Sequence, residues 1–177
     1  GPNGNANNTA ALAVGVPPPP PPRPIANLSV GSGGAAADGG SSNVSLSDGA
    51  RFVVFESNAT NLVPGDTNGR GDVFRRDTVT GNTVRGSLDN GLQQNLFSGE
   101  GQVSRDGRFV VFTRGTGTGP GATLADKAIS GGEICFRDMQ GNVLLCVTKG
   151  PGGAAPNGAS AKPSVSADGG KLVYEST

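Results

Sequence analysis

The chain has 177 residues, with 14 basic and 14 acidic side chains and no histidine. The absence of histidine excludes a Ser-His-Asp triad, a histidine general base and an imidazole metal site. Because the charges cancel, the chain lacks the net positive charge that is typical of proteins that bind nucleic acid or an anionic membrane. The 31 glycines and 13 prolines make up about a quarter of the chain, a level at which low complexity must be considered. The composition predicts a protein that is not an enzyme, has no catalytic residues and does not bind nucleic acid.

The chain begins with a proline-rich arm, residues 1–24. The run from Pro17 to Pro22, followed by an arginine and Pro24, predicts a polyproline II rod of about 25 Å at about 3.1 Å per residue. We expect this rod to pack against a neighbouring subunit.

The sequence favours an extracellular location. No apolar run approaches the roughly 18 residues that a membrane-spanning helix needs. The first residues show no charged region followed by an apolar one, as a secretory signal would, so we expect any such signal to have been removed. Candidate attachment sites for N-linked glycans lie at the sequons of Asn7, Asn27, Asn43 and Asn58. We therefore expect a secreted glycoprotein that spans no membrane.

Three segments of the chain repeat one another. They are Leu46–Phe55, Val103–Phe112 and Val165–Tyr174, separated by 57 and 62 residues. Each begins with an apolar residue, contains an Asp-Gly dipeptide suited to a tight turn, and ends in an apolar run that closes on an aromatic residue. The pattern predicts a strand, a turn and a buried strand in each copy.

A second repeated element follows the first two copies. Asp72–Asp77 aligns with Glu133–Asp138, and each is followed by a glycine-containing turn and another apolar strand. One unit is therefore two hairpins, or four strands, which is the composition of a β-propeller blade.

These segments resemble a known repeat family. Ser47–Ser57, with Asn61–Gly69 and Asp72–Asp77, is similar to the TolB-like (PD40) β-propeller repeat, and the likeness extends over roughly residues 43–177. It implies an all-β domain over residues 25–177, built of tandem four-stranded blades. The expected parts are an edge strand at 25–30, complete blades at 41–87 and 101–148, and a partial blade at 163–176. The resemblance says almost nothing about function, because such propellers serve many roles.

The blade count departs from that family, since closed propellers have about four to eight blades. The strand at 25–30 resembles the fourth strand of a preceding blade, and residues 11–16 form either its third strand or a flexible arm. Open sheet edges invite pairing with another chain. We therefore expect each copy to complete a blade of its neighbour, with Leu28 and Val30 at the donated edge. The accepting edge would carry Val165, Leu172 and Tyr174.

Three outcomes of such pairing remain open. A head-to-tail contact gives a helical fibril if the rotation does not close and a ring if it does. The third outcome is a fragment of a longer propeller. As a closed oligomer or as such a fragment, the protein would be a binding module for a glycan or a peptide. Of these, the sequence favours a structural homopolymer in an extracellular fibril.

Cys135 and Cys146 flank a plausible two-residue turn and would lie opposite each other on paired strands. The two cysteines form either a cross-strand disulfide or two buried free thiols. The register that this turn predicts makes them a hydrogen-bonded pair, whose wider spacing fits a disulfide less well.

The loop from Asp66 to Asp72 is a candidate calcium site. Asp66, Asn68 and Asp72 place oxygen atoms around a glycine turn, as a hard cation requires, and similar loops in related propellers suggest Ca²⁺. The loop lacks the bidentate glutamate of an EF-hand. The alternative is a turn capped by its own side chains. No other cofactor is expected.

Asp77 and Asp138 each follow an arginine just before the second turn of a blade. Because no cleft-forming insertion accompanies them, we expect salt bridges or turn caps and no acid–base role.

Overall fold

The computed structural model describes residues 26–115, 132–148 and 158–177. The proline rod from Pro17 to Pro24, the sequon at Asn7 and residues 11–16 lie outside these ranges. The described residues form twelve β-strands and one short 3-10 turn at Asp48–Ala50. None of these described segments is a helix long and apolar enough to cross a membrane. The all-β fold predicted from the repeats is confirmed.

The strands form two complete blades and a third hairpin, as expected. The first blade is an antiparallel sheet of β1 Ser41–Leu46, β2 Phe52–Ser57, β3 Asp72–Asp77 and β4 Asn82–Arg85. A short connecting hairpin follows, made of β5 Leu88–Asp89 and β6 Leu92–Gln93. The second blade contains β7 Ser98–Val103, β8 Phe109–Arg114, β9 Glu133–Asp138 and β10 Val143–Cys146. The third hairpin pairs β11 Ser160–Val165 with β12 Leu172–Ser176.

Each opening hairpin contains the same bulge in its first strand. The pairing shifts once in β1, once in β7 and once in β11. One residue in each shift has a positive φ: 48° at Asn43, 54° at Glu100 and 51° at Lys162. We call these three the bulge residues. Their recurrence means that the three hairpins can be compared position by position.

The blades pack face to face through alternating strand residues. Because successive side chains of a strand point to opposite faces, Val54 of β2 faces the second blade whereas Val53 and Phe55 face the other way. Val54 and Val73 pack against Val103, Val110 and Phe112 in one buried cluster. Val53 and Phe55 belong to a second cluster with Ala59, Leu62 and Phe74. Two apolar layers, one on each face, therefore hold the first blade.

The hairpin turns do not align through their Asp-Gly dipeptides. The amides of Ala50, Gly107 and Gly169 each donate to the carbonyl of the serine three residues earlier, and all three residues have a positive φ. Ala50 therefore occupies the position of the two glycines, and the first Asp-Gly is shifted by one residue. The end-to-end alignment of the three repeats that the sequence predicts is correct, and it already places Ala50 opposite the two glycines.

The predicted edge strand at 25–30 is wrong. Among the described residues of this segment, Val30 forms only an isolated bridge with Ala36, and Leu28 packs on the cluster around Phe55. The guanidinium of Arg76 donates to the carbonyl of Val30, just as that of Arg137 donates to Leu88 in the connecting hairpin. Val30 thus belongs to a connection between blades, because the glycine turn that follows it folds the chain back.

Candidate assembly faces

One apolar position of the repeat is buried in both complete blades but exposed in the third hairpin. The facing pairs Leu46–Val53, Val103–Val110 and Val165–Leu172 are equivalent in register. The residue that follows the second member of each pair is Val54, Val111 or Val173. Val54 and Val111 are 0% exposed, but Val173 is 65% exposed. We call the side of β12 that carries Val173 and Glu175 the hairpin face.

The first blade has a matching uncovered surface on its opposite side. Leu46 is 55% exposed, whereas its equivalent Val103 is 9% exposed between the two blades. Val44, two residues before Leu46 on the same strand face, is 65% exposed. We call the surface of Val44, Leu46 and the underlying Val53 the first-blade face. The two faces are the two halves of the contact that the chain makes twice internally, between its first and second blades and between its second blade and third hairpin.

A cavity of about 380 Å³ opens on the first-blade face. Its floor is formed by Val44, Val53 and Phe55 and one wall by Ala26–Ser29. This wall occupies the same position beside the first blade that the end of β4 occupies beside the second blade. The cavity therefore occupies the place where the inner strands of a preceding blade would pack.

The residues predicted at the accepting edge point towards the second blade. Val165, Leu172 and Tyr174 repeat the positions of Val103, Val110 and Phe112, which lie in the core between the blades. Leu172 and Tyr174 lie on β12, and their place at an accepting edge stays a prediction. The residue on the opposite side of β12 is Val173, which sequence reasoning missed and which its one-residue offset from Leu172 could have indicated. Within the described residues, β12 has no partner on its outer edge, where β2 pairs with β3 in the first blade.

The loop residues proposed for calcium come together around an arginine. Arg85 of β4 places Nη2 2.9 Å from Asp66 Oδ2 and Nε 3.5 Å from Asp72 Oδ2, and all three side chains are buried. The amide nitrogen of Asn68 donates to Asp72, while its oxygen accepts the amide of Arg70. The site therefore has a guanidinium at its centre and a donor group turned inward, which does not fit Ca²⁺.

This buried network has unusual electrostatics. Burial raises the pKa of Asp72 to about 6, against the opposing effects of the hydrogen bond from Ser87 and the charge of Arg85. Burial also raises the pKa of Asp66. The two carboxylates compete for one guanidinium, so charge neutralisation is incomplete when both are ionised. The arrangement is structural: it ties the long loop before β3 to the fourth strand.

No family profile and no curated protein matches the chain. Solved structures do match. The tricorn protease is 15% identical with a TM-score of 0.51, over 77% of this chain and 11% of that one. TolB from Acinetobacter baumannii is 18% identical with a TM-score of 0.42, over 79% and 27%. A putative TolB from Agrobacterium tumefaciens is 16% identical with a TM-score of 0.48, over 78% and 39%.

The chain has a β-propeller fold, made of blades like those of the structures it matches. At these identities the likeness shows the fold and no activity. The chain spans from 11% to 39% of the lengths of these three proteins.

The second blade contains a disulfide between Cys135 and Cys146, which is one of the two states that the sequence left open. The cysteines face each other in the β9–β10 register, with Cα atoms 3.9 Å apart. The amide of Val147 donates to the carbonyl of Ile134, so the adjacent cysteine pair lies at a non-hydrogen-bonded position, where strands approach more closely. The predicted hydrogen-bonded pairing is wrong because the connection is a four-residue loop. Glu133 lies beside the cysteines, but the disulfide leaves no thiolate for a metal.

The aspartates after the third strands make salt bridges and turn caps, as expected. Asp77 pairs with Arg51 at 3.1 Å and Asp138 pairs with Arg108 at 2.7 Å. Each carboxylate also accepts the backbone amide two residues later. Each aspartate pairs with an arginine from the opening hairpin of its own blade, and not with the arginine that precedes it in sequence.

The described sequons differ in exposure. Asn27 and Asn43 are exposed, whereas Asn58 is half-buried. The side-chain oxygen of Asn27 accepts hydrogen bonds from the amide and the hydroxyl of Ser29. Asn43 lines the cavity on the first-blade face, so a glycan there would occupy the surface on which another blade could pack.

Proposed function

We propose that the chain is a secreted, non-catalytic structural subunit that assembles head to tail with copies of itself. The observation that carries this proposal is the exposure of Val173 at a position where Val54 and Val111 are fully buried. The hairpin face of one copy would pack on the first-blade face of the next. This would repeat the contact that Val54 makes with Val103 and Val110 inside the chain.

The two faces are different surfaces, so the contact would be heterologous. Such contacts form a filament when the rotation does not close and a ring when it does. Burial of Val173 and Leu46 would contribute about 1–3 kcal/mol for each side chain. Affinity would come from several such contacts together, because association has its own entropic cost.

Strand complementation would extend this contact. The outer edge of β12 can accept a third strand from a second copy by β-augmentation. The proline rod from Pro17 to Pro24, which lies outside the described residues, remains our candidate for a segment that packs on the neighbouring copy. The Cys135–Cys146 disulfide supports an oxidising compartment, as secretion requires.

Two single substitutions test the head-to-tail geometry. Leu46→Glu places a charge on the first-blade face alone, and Val173→Glu places a charge on the hairpin face alone. We expect the unmodified chain to form large assemblies, each variant alone to stay monomeric, and an equimolar mixture of the two to stop at a dimer. Light scattering after size exclusion measures all four samples, and negative-stain microscopy distinguishes filaments from rings.

Val79→Glu is the matched control, because Val79 is 75% exposed on a turn away from both faces and its variant should assemble normally. Circular dichroism confirms that each variant is folded. A monomeric unmodified chain, or variants that assemble as well as it does, would contradict the proposal.

A second candidate function is a blade segment of a longer propeller that binds a glycan or a peptide. The observation that favours it is the small share, 11% to 39%, of each solved relative that the chain spans. In that case the two faces would pack on further blades of the same polypeptide. The mixture of variants would then give no dimer.

A further inference from the structure

We propose that Glu175 fixes the register between subunits by accepting the backbone amide of Asn43 from a second copy. This inference rests on the proposed head-to-tail assembly and names the polar contact that would set it. It comes from the bulge residues, whose amides are bound by a carboxylate of the preceding blade at both junctions within the chain.

At the junction between the first and second blades, the carboxylate is Glu56. Its Oε2 accepts the amide of the bulge residue Glu100 at 2.8 Å. Its other oxygen accepts the hydroxyl of Ser42, on the facing strand of the same blade, at 2.6 Å. Ser42 therefore holds the carboxylate in position while the carboxylate binds the next blade.

At the junction between the second blade and the third hairpin, the carboxylate is Glu100. Its Oε2 accepts the amide of the bulge residue Lys162 at 2.9 Å and the hydroxyl of Thr113 at 2.8 Å. Thr113 occupies the position of Glu56 in the repeat. The acceptor has moved to the neighbouring strand, but it still binds the bulge amide of the following blade.

The third hairpin restores the first arrangement. Glu175 occupies the position of Glu56, since it pairs with Ala161 as Glu56 pairs with Ser42. Its carboxylate is held by Lys162 Nζ at 3.0 Å, on the facing strand of the same hairpin. It lies on the hairpin face, beside Val173. A blade packed there would present its own bulge residue, which in a second copy is Asn43, with a φ of 48° like that of Glu100 and Lys162.

The neighbouring turns are compatible with the same register. The amide of Asp48 donates to the carbonyl of Arg105, and the amide of Arg105 donates to that of Ala167. Continuing this ladder brings the turn of Ala167 beside Asp48 of a second copy. Gly107 packs directly on the ring of Phe52, where a Cβ cannot fit. The corresponding pair between copies would be Ala50 and Lys171, and a flexible lysine stem can accommodate the alanine Cβ.

The test uses the dimer that forms when the two variants are mixed. In it the Leu46→Glu chain contributes its intact hairpin face, and the Val173→Glu chain contributes its intact first-blade face. Glu175→Ala placed in the Leu46→Glu chain should weaken the dimer by about tenfold or more, because it removes a charge-assisted hydrogen bond. The same Glu175→Ala placed in the Val173→Glu chain should leave the dissociation constant unchanged, since that hairpin face is unused. Analytical ultracentrifugation measures both.

Lys162→Met in the Leu46→Glu chain is the second comparison, because it removes the ion pair and retains the acceptor. A clearly larger loss from Glu175→Ala than from Lys162→Met, both in the Leu46→Glu chain, supports the inference. An unchanged dissociation constant there, or equal losses from Glu175→Ala and Lys162→Met, overturns it and leaves the assembly proposal intact. Absence of any dimer overturns both.

Discussion

Asp66 and Arg85 form an ion pair 2.9 Å apart, with side chains only 1% and 4% exposed. They are 19 residues apart in sequence, one in the loop before β3 and the other at the end of β4. The pair therefore closes the outer part of the first blade around a buried charge. Such pairs contribute little when formed but cost much when one partner is removed.

Replacement of Arg85 by methionine should destabilise the protein strongly. The change leaves the carboxylates of Asp66 and Asp72 buried without their guanidinium, at a cost of about 3–5 kcal/mol in the free energy of unfolding. Urea denaturation measures it. Arg51→Met is the control: Arg51 also pairs with an aspartate, but its side chain is 55% exposed, so the loss should be below about 1 kcal/mol. Equal losses in both variants would show that the buried network is not structural.

Stability should depend on the protonation of Asp72. Its pKa is raised from 3.8 to about 6 in the folded protein. The folded state therefore retains a proton that the unfolded state releases, and the free energy of unfolding should fall as the pH rises through this window. Relative to Asp72→Asn, the unmodified chain should lose about 2 kcal/mol between pH 4 and about pH 6.5. Parallel pH profiles of the two proteins would contradict the raised pKa.

Calcium should not stabilise the protein. Arg85 occupies the centre of the Asp66, Asn68 and Asp72 cluster, so a cation would have to displace a guanidinium. The melting temperature should be the same in chelator and in roughly millimolar Ca²⁺. A rise above about 2 °C that Asp66→Asn abolishes would restore the calcium hypothesis.

The strand pattern could be predicted from the sequence more fully than the loop chemistry. The alternation of Val53, Val54 and Phe55 and the repeat spacing are local features, so they predict hairpins and blade faces directly. The sequence predicts Arg85 only as the last residue of a strand, because its approach to Asp66 depends on how β4 pairs with β3. The residues around Val30 have the apolar pattern of a strand, yet Val30 forms only a bridge to Ala36, because a glycine turn and packing on the first blade determine its position.

Loss of the Cys135–Cys146 disulfide should destabilise the second blade. The bond links β9 to β10 across 11 residues, and a loop of this size corresponds to about 2–3 kcal/mol. The double variant Cys135→Ala/Cys146→Ala should unfold at a correspondingly lower urea concentration. Reductant should shift the unmodified chain to the same midpoint and leave the variant unaffected. A reductant effect on the variant would place the sensitivity elsewhere.

Gly107 and Ala50 occupy one repeat position but should respond oppositely to exchange. A Cβ at Gly107 would overlap the ring of Phe52, and the φ of 77° is one that alanine disfavours. Gly107→Ala should therefore cost about 2–4 kcal/mol. Ala50 already bears this backbone strain, with a φ of 54°, so Ala50→Gly should stabilise the chain by up to about 1 kcal/mol. Gly40→Ala, where a Cβ meets open space, is the control and should change stability little. A neutral Gly107→Ala would mean that the second-blade turn does not pack on Phe52, and the turn ladder between blades would lose its basis.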